Sequence, residues 1–349
     1  MQQKKIESFQ GLRGLAILLI MVSHCIFLKN TMGQNSLSHL GGFGVELFIM
    51  LSGFLTCYWH FDHPIQVLSI WEAVKYAVCK IRKYYLLHII TLMISLPLVW
   101  KHLLLEGDIR YWGIMVINAL LLQDWIPKSS VYFSYNGVAW YLSLMFFFLF
   151  ASSFILRWMK CLNYQMHVMA LIGIVVFEYV LAGLADYYIV EKYVAHWLVY
   201  IFPMVRILDF VVGGGMYVLI KHTYQQEKNV SAIKRLLILF LVSSSALILL
   251  GTRYEHEMFS TAVWSIPSAA LIYLLAEKEQ ILTTVFEMRW LIFLGNISFE
   301  LFLLHQLVIR YFSTAWHKFI GHDIPSWGYI IPLLLSIVLA RWVHKRFRY

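Results

Sequence analysis

The sequence predicts an all-α protein: a polytopic membrane helical bundle of about ten transmembrane helices with both termini in the cytoplasm. Three observations predict this class. Hydrophobic residues make up 60% of the 349 residues and charged residues only 13%, about half the charged fraction of a soluble domain. Apolar runs of membrane-spanning length recur along the whole chain. Lys and Arg residues collect in alternate connecting segments, as they do in the cytoplasmic loops of membrane proteins.

The individual helices follow from these runs, because a helix of roughly 17 to 22 mostly apolar residues crosses the hydrocarbon core. The sixth run contains "VVGGGM" and the eighth contains "WSIPSAA". A further short apolar piece at 111–123 is predicted to lie in the interface or to re-enter the membrane. The ten predicted spans are 12–29, 43–60, 84–100, 137–157, 167–186, 201–220, 235–251, 259–276, 290–311 and 327–344.

Orientation follows from the positions of the 28 Lys and Arg residues. With the N-terminus inside, the inner segments hold 18 of them, the outer segments hold 7, and Arg13, Arg206 and Arg310 fall inside spans. Since positive charge favours the cytoplasmic side, both termini are predicted to be cytoplasmic. Topology thus accounts for the formal net charge of +9, and we expect no nucleic-acid partner.

The rest of the chain predicts one membrane domain over residues 1–349, because no loop is long enough for a soluble domain. The first apolar run follows "MQQKKIESFQG", is long enough to span the bilayer and ends without a small-residue cleavage site. We therefore expect a retained first helix and not a cleaved signal peptide. The four cysteines lack metal-ligand spacing, so we expect inert thiols and no metal.

The stretch "RGLAILLIMVSH" places Arg13 and His24 on one predicted helix. Their spacing makes three turns plus ~20°, so both side chains project from one face, separated by ~16 Å of rise. Ionisable groups at membrane depth are costly and tend to mark a pathway or a site. The structural alternative is an interfacial arginine that snorkels and a histidine bound to a backbone carbonyl.

Five motifs in order connect the chain to a known family. "F-x-G-L-R-G-x-A" and the Arg-x10-His pair are followed by "GVELFIMLSGF" at 44–54. This combination resembles the membrane acyltransferase-3 family, whose members are integral membrane O-acyltransferases that modify sugars and other acceptors. Four further segments are similar to family segments: "KIRKYYLLHIITL" (80–92), "LLLQDWIPKSSVYFSYNGVAWYLSLMFFFLF" (120–150), "FPMVRILDFVVGGGM" (202–216) and "LGNISFELFLLHQLVI" (294–309).

The sequence departs from the family pattern at three places. Leu86 stands where the family often has proline, and Glu46 replaces the commoner aspartate but keeps its charge. The segment after Trp140, "YLSLMFFF", lacks the acid that many members carry, so the resemblance assigns no catalytic acid there. The resemblance includes no extracellular hydrolase-like domain after the last predicted helix, so we expect a stand-alone member of the family.

The resemblance implies transfer of an acyl group, expected to be acetyl from cytosolic acetyl-CoA, to a hydroxyl of a cell-surface or exopolysaccharide sugar. The expected partners are acyl-CoA, a carbohydrate or lipid-linked glycan acceptor and membrane lipids. The expected location is the plasma membrane, with multiple passes. We expect acetyl-CoA as the donor substrate and no metal cofactor.

Depths counted at ~1.5 Å per residue place most of the matched polar residues in the outer half of the bundle. We expect His24 to act as general base, since its unperturbed pKa of about 6.5 lets it accept a proton at neutral pH. Glu46 is expected to orient His24, and Arg13 completes the predicted catalytic set. The donor phosphates are expected at Arg13, Lys80, Arg82 and Lys83, because guanidinium groups suit phosphate. The acceptor or pocket residues are expected to be Ser52, Asn136, Trp140, Ser143, Arg206, Asp209 and His305.

Alternatives remain open at the level of sequence. His305 could equally be a histidine packed inside the bundle. Arg206 and Asp209 could form a structural ion pair, and Trp140 could be an aromatic residue at the membrane interface. Covalent catalysis would use Ser52, Ser143 or Cys25, none of which lies in a nucleophile signature. A transporter of a polar or lipid-linked solute, or a non-catalytic partner in polysaccharide assembly, would explain the buried charges without acyl transfer.

Overall fold

The computed structural model describes residues 6–26, 40–63, 65, 67, 69–100, 108–225, 261–278, 280–322 and 324–347. Within these ranges the protein is helical and has no strand. The helices are α1 (Glu7–Ile26), α2 (Leu40–His60), α3 (Ile70–Trp100), α4 (Ile109–Ala119), α5 (Ser129–Tyr132), α6 (Trp140–Cys161), α7 (Tyr164–Tyr188), α8 (Lys192–His196), α9 (Pro203–Gln225), α10 (Ala262–Ala276), α11 (Gln280–Phe286), α12 (Arg289–Asn296), α13 (Ser298–Ile320) and α14 (Ile330–Arg346).

Seven helical segments in the described ranges are long and apolar enough to cross a membrane, or eight if α12 and α13 count as one span. The predicted polytopic bundle is therefore confirmed, and the predicted number of about ten spans is approximate. The seventh predicted span, 235–251, lies outside the described residues. The eighth corresponds to α10, an apolar helix of 15 residues.

The ninth predicted span, 290–311, is not one straight helix. α12 ends at Asn296, α13 begins at Ser298, and the two axes are bent by 76°. At the break, the Ser298 hydroxyl donates a hydrogen bond to the carbonyl of Gly295. The bend matters for the site because His305 lies in the second turn of α13 after the break, and not in the middle of a continuous span.

The centre of the bundle is built from α1, α2, α9 and α12, with α2 packed between α1 and α9. The backbones of α2 and α9 lie so close that a Cβ at Gly213 would stand 1.9 Å from the Met50 carbonyl oxygen. Only glycine permits this approach, as small residues do at many membrane helix interfaces. "VVGGGM" therefore lies in a continuous helix, and its glycines face neighbouring helices.

Residues 108–139, which precede α6, pack against α3 and α13. The Tyr85 hydroxyl donates to the carbonyl of Ala119, and the Asn136 amide nitrogen lies 2.9 Å from the carbonyl oxygen of Leu303. Arg310 donates to the carbonyl of Tyr135 at 2.6 Å. These bonds anchor the outer part of α13 and so fix the helix that carries His305.

Candidate active site

The structure brings together His24 on α1 and His305 on α13, which are 281 residues apart in sequence. Nε2 of His305 lies 3.1 Å from Nδ1 of His24. The two rings are inclined at 59°, with their centroids 4.9 Å apart. Two of the residues singled out by sequence therefore form one group.

The hydrogen-bond partners assign the tautomers of both rings. Nδ1 of His24 lies 2.9 Å from the carbonyl oxygen of Ile20, and Nδ1 of His305 lies 2.8 Å from that of Leu301. A carbonyl only accepts hydrogen bonds, so each Nδ1 carries the hydrogen. Nε2 of His305 then accepts, and the Nδ1–H of His24 is shared between Ile20 and His305. The lone pair of neutral His24 is left on Nε2.

The two histidines differ in access. His305 is fully buried, whereas His24 keeps part of its surface exposed. Asn136 lies close by, bonded to Leu303 on the same helix as His305. The Oδ1 of Asn136 and the Oε1 of Gln306 are buried and have no hydrogen-bond partner among the described residues. Acceptor oxygens of this kind suit a ligand that brings hydroxyl groups.

A second buried cluster surrounds Arg206 on α9. Its Nη2 lies 2.8 Å from Oε2 of Glu46 on α2, and its Nη1 lies 2.6 Å from Oδ2 of Asp209 one turn further along α9. All three side chains are almost fully buried. The ion pair between Arg206 and Asp209, one of the alternatives that the sequence left open, is present.

The expected pairing of Glu46 with His24 is wrong in this structure. Glu46 instead binds Arg206, and His305 takes the place beside His24. The reason is charge: a buried carboxylate is stabilised far more by a permanently charged guanidinium than by an imidazole. Trp140 lies beside this cluster, since its ring is 5.2 Å from that of Tyr200, which in turn lies against Arg206.

Sequence reasoning missed Glu178 on α7, which belongs to the same cluster. Its Oε2 accepts a hydrogen bond of 2.9 Å from the Ser265 hydroxyl, and that hydroxyl lies 3.4 Å from Oδ1 of Asp209. Glu178, Arg206 and Asp209 line a small pocket together with Thr261 and Ala262. The available signal was a single acid inside "VVFEYV", in the most hydrophobic of the candidate spans.

Arg13 and Lys83, both predicted to bind the donor, gather around Tyr84. Nζ of Lys83 lies 4.4 Å from the centre of the Tyr84 ring, and the Arg13 guanidinium lies near Tyr84 and Tyr141. Among the described residues, Arg13 forms no ion pair. The other two predicted donor residues lie elsewhere on α3: Lys80 over the ring of Tyr76, and Arg82 exposed.

A line of aromatic rings joins the Arg13 end of the site to the histidine pair. Tyr141 lies near Arg13, and its ring lies 5.1 Å from that of Phe302. The ring of Phe302 is 6.1 Å from that of His305. Arg13 and His24 are separated by ~16 Å along α1, so this line runs beside the full distance between the two predicted ends of the site.

The candidate nucleophiles have partners that do not activate them. The Ser52 hydroxyl donates to the carbonyl of Phe48 at 2.7 Å, and the Ser143 hydroxyl donates to the carbonyl of Leu121 at 2.6 Å. Cys25 is buried against Ile309 and Tyr329. In the part of the chain that the structure describes, no group of three or more His, Cys, Asp or Glu side chains is arranged to hold a metal ion.

Comparisons with known proteins agree with the family resemblance that the motifs indicate. The model of a family described as "Acyltransferase domain" (Acyl_transf_3) matches residues 6–345. "Acyltransferase MdmB" from Streptomyces mycarofaciens is 26% identical over 346 residues, an alignment that covers 92% of this chain and 82% of that protein. No solved structure matches the chain. Since the family model covers nearly the whole chain, the protein belongs to this acyltransferase family, and the resemblance found from its motifs is confirmed.

Proposed function

We propose that this member of the acyltransferase family is an O-acetyltransferase of the plasma membrane. In this proposal the donor is cytosolic acetyl-CoA, and the acceptor is a hydroxyl of a cell-surface or exopolysaccharide sugar. The observation that carries it is the hydrogen bond of 3.1 Å between His24 and His305, because it leaves Nε2 of an accessible histidine free to accept a proton.

The donor enters from the cytoplasmic side in the predicted topology. Its pyrophosphate is held by Arg13 and Lys83, which both lie near Tyr84. Arg13 suits this role because it has no ion-pair partner among the described residues and because its planar fork offers two aligned donors. The pantetheine arm then runs along the rings of Tyr141 and Phe302 and brings the thioester to His24.

The chemistry is a direct transfer. Nε2 of His24 removes the proton from the acceptor hydroxyl, whose oxygen attacks the thioester carbonyl. The carbon–sulfur bond breaks, the new ester bond forms, and the proton passes from the imidazolium to the leaving thiolate, which gives free CoA. His305 accepts the Nδ1–H of His24 throughout, so it fixes the tautomer and stabilises the imidazolium. This is the role that we first expected of Glu46.

The acceptor lies on the outer side of the same histidine. Asn136 and Gln306 offer buried acceptor oxygens beside His305, and the cluster of Glu46, Arg206 and Asp209 braces α2 against α9. A covalent route through Ser52 or Ser143 is less well supported, because each hydroxyl donates its hydrogen to a backbone carbonyl. A transporter remains the second candidate, since buried charges also serve that function.

The test is acyl transfer by purified protein in liposomes, with radiolabelled acetyl-CoA and surface glycan from the native host. We compare wild type, His24→Gln and the control His88→Gln. His88 is another histidine of a spanning helix, fully buried, with Nε2 3.0 Å from the carbonyl oxygen of Asn118. We expect His24→Gln to lower transfer by about 10²- to 10⁴-fold, as loss of a general base does, while His88→Gln keeps transfer near wild type.

Three results would overturn parts of this proposal. Transfer by His24→Gln at the wild-type rate would exclude His24 as the base and would favour the covalent route through Ser52 or Ser143. Failure of the wild type both to bind CoA and to label glycan would exclude the transferase and leave the transporter. Label in a small-molecule hydroxyl instead of glycan would keep the chemistry and correct the acceptor.

A further inference from the structure

A pocket at the inner ends of four helices lies outside the site described above. It is lined by Phe61 after α2, Lys160 at the end of α6, Tyr164 and His167 at the start of α7, and Lys221 and His222 near the end of α9. We call it the basic pocket. It encloses about 240 Å³, and the predicted topology places it on the cytoplasmic face.

The charges of the basic pocket favour an anion. Lys221 forms an ion pair with Asp62, whereas Lys160 has no acidic partner among the described residues and lies over the ring of Phe61, 5.6 Å from its centre. The N-terminus of α7 opens at the same place, with Asn163 capping Met166. The positive end of a helix and its unpaired N–H groups attract an anion.

His167 gives a second, independent sign of a ligand. It is only 3% exposed, and its Nδ1 lies 3.2 Å from the carbonyl oxygen of Asn163, so that nitrogen carries the hydrogen. Its Nε2 is buried without a hydrogen-bond partner in the described ranges, although His167 lines the pocket. A buried polar atom of this kind is costly unless something binds it. The lone pair of Nε2 suits a ligand that brings a hydrogen-bond donor, such as the P–OH group of a singly protonated phosphate.

The aromatic rings of the pocket indicate a ligand that is larger than a bare ion. The rings of Tyr164 and His222 are stacked 3.8 Å apart, and two lysines, Lys160 and Lys221, lie over the ring of Phe61. Positive topology alone would explain lysines at this face, and lysines also suit helix C-termini. Neither explains the stacked pair or the unpartnered nitrogen of His167.

We propose that the basic pocket binds the phosphate monoester of a cytoplasmic ligand between Lys160, His167 and the start of α7. The adjoining ring or chain of the ligand then lies against Tyr164 and Phe61. Two sources carry such a group: the 3′-phosphate on the ribose of a CoA molecule, and the headgroup of phosphatidic acid. The proposal does not depend on acyl transfer, because binding alone fills the pocket.

The test uses the full-length protein in nanodiscs of phosphatidylcholine. The first arm measures equilibrium binding of radiolabelled adenosine 3′,5′-bisphosphate, and the second measures Tm after part of the lipid is replaced by phosphatidic acid. The variants are Lys160→Ala and His167→Leu. The matched control is Arg157→Ala, which removes an exposed cation one turn earlier on the same helix, outside the pocket.

We expect Lys160→Ala and His167→Leu to weaken the binding of one of the two ligands about ten-fold or more, as loss of a charge-assisted hydrogen bond does. Arg157→Ala should leave the binding of both ligands unchanged. An effect in the first arm assigns the nucleotide as the source, and an effect only in the second assigns the lipid. If neither ligand distinguishes Lys160→Ala from Arg157→Ala, the proposal is wrong. Because Lys160 is exposed, its variant folds even if His167→Leu does not. His24→Gln keeps this binding whether or not the protein transfers acyl groups.

Discussion

Nε2 of His305 accepts a hydrogen bond from Nδ1 of His24 over 3.1 Å, and no carboxylate takes that position among the described residues. An imidazole acceptor differs from the aspartate of a serine-protease triad because it is neutral and itself tied to a carbonyl, that of Leu301. The pair is therefore held in one orientation by two helices, α1 and α13. Its catalytic value depends on that orientation.

The first prediction concerns His305 as a positioning residue. His305→Leu removes the acceptor for His24 and is expected to lower kcat by about 10- to 150-fold, the equivalent of one hydrogen bond to a charged group. His305→Gln keeps an acceptor oxygen and is expected to recover most of this loss. The KM for acetyl-CoA should stay unchanged in both, because neither change touches the donor site. Steady-state kinetics of the purified protein measure both quantities.

His88→Leu is the control for this experiment, since it removes another fully buried histidine bound to a carbonyl. A purely structural role for His305 predicts equal loss in His305→Leu and His305→Gln, with kcat and folded yield falling together. A rise in KM without a change in kcat would show that His305 binds substrate instead of positioning His24.

The second prediction concerns the donor end of the site. Arg13→Ala is expected to raise the KM for acetyl-CoA by about 10- to 100-fold with little change in kcat, because a uniform binding interaction is lost. Arg13→Lys should recover only part, since a point charge does not replace the planar fork. Lys83→Ala should raise KM by less, because Lys83 is exposed.

Lys75→Ala provides the matched control, because Lys75 lies over the ring of Trp71 on the same helix in a similar pairing, at 5.5 Å. Its KM should equal that of the wild type. If Lys75→Ala and Lys83→Ala raise KM equally, the surface charge of α3 attracts the donor as a whole, and the specific role of the Tyr84 region is refuted.

The third prediction concerns the buried ion pairs of Arg206. Arg206→Met leaves Glu46 and Asp209 buried without their cation and is expected to cost about 3 to 5 kcal/mol of stability. Glu46→Gln should cost less, because Arg206 keeps Asp209 at 2.6 Å. The double variant should be more stable than the sum of the two losses predicts, as expected for residues in contact. Thermal unfolding in detergent measures all three.

Arg157→Met is the comparison for this cycle, because Arg157 is exposed and lies over the ring of Phe154. Its Tm should change little. Strict additivity of Arg206→Met and Glu46→Gln would mean that their contact contributes nothing, and the cluster would then have to be reinterpreted as independent polar groups.

The sequence predicted the membrane helical bundle because the length of each apolar run can be seen in the sequence without knowledge of tertiary packing. It also placed His24 and His305 at similar depths, but depth does not give the rotation of one helix against another. That is why Glu46 was matched with His24, whereas the fold turns it toward Arg206. Rotation and partner choice come from side-chain packing between distant segments, which residue spacing does not encode.

Glu178 and the bend before α13 show the same limit. Glu178 belongs to no motif, and only its charge within an apolar helix marked it. The bend of 76° lies between the end of α12 and the start of α13. The hydropathy of this stretch predicts a single span. In both cases the sequence held a local signal, but its meaning depended on helices that are remote in the chain.

The last prediction concerns the contact of α2 with α9. Gly213→Ala places a Cβ 1.9 Å from the carbonyl oxygen of Met50, so the two backbones must separate, at a cost of about 1 to 3 kcal/mol by analogy with overpacked cores. Gly173→Ala is the matched control, since that glycine also lies in a spanning helix but has nothing within 4 Å of the added Cβ. It should be neutral or stabilising by up to about 1 kcal/mol, because alanine is the better helix former.

The separation should also reach the ion pairs, because Asp209 lies one turn before Gly213 and Glu46 one turn before Met50. Moving α9 away from α2 lengthens the bond of 2.8 Å between Arg206 and Glu46. Gly213→Ala and Glu46→Gln should therefore be less than additive in Tm, whereas Gly173→Ala and Glu46→Gln should add. Equal Tm values for Gly213→Ala and Gly173→Ala would show that the helices move apart freely, and that neither the glycine contact nor the ion pair holds α2 against α9.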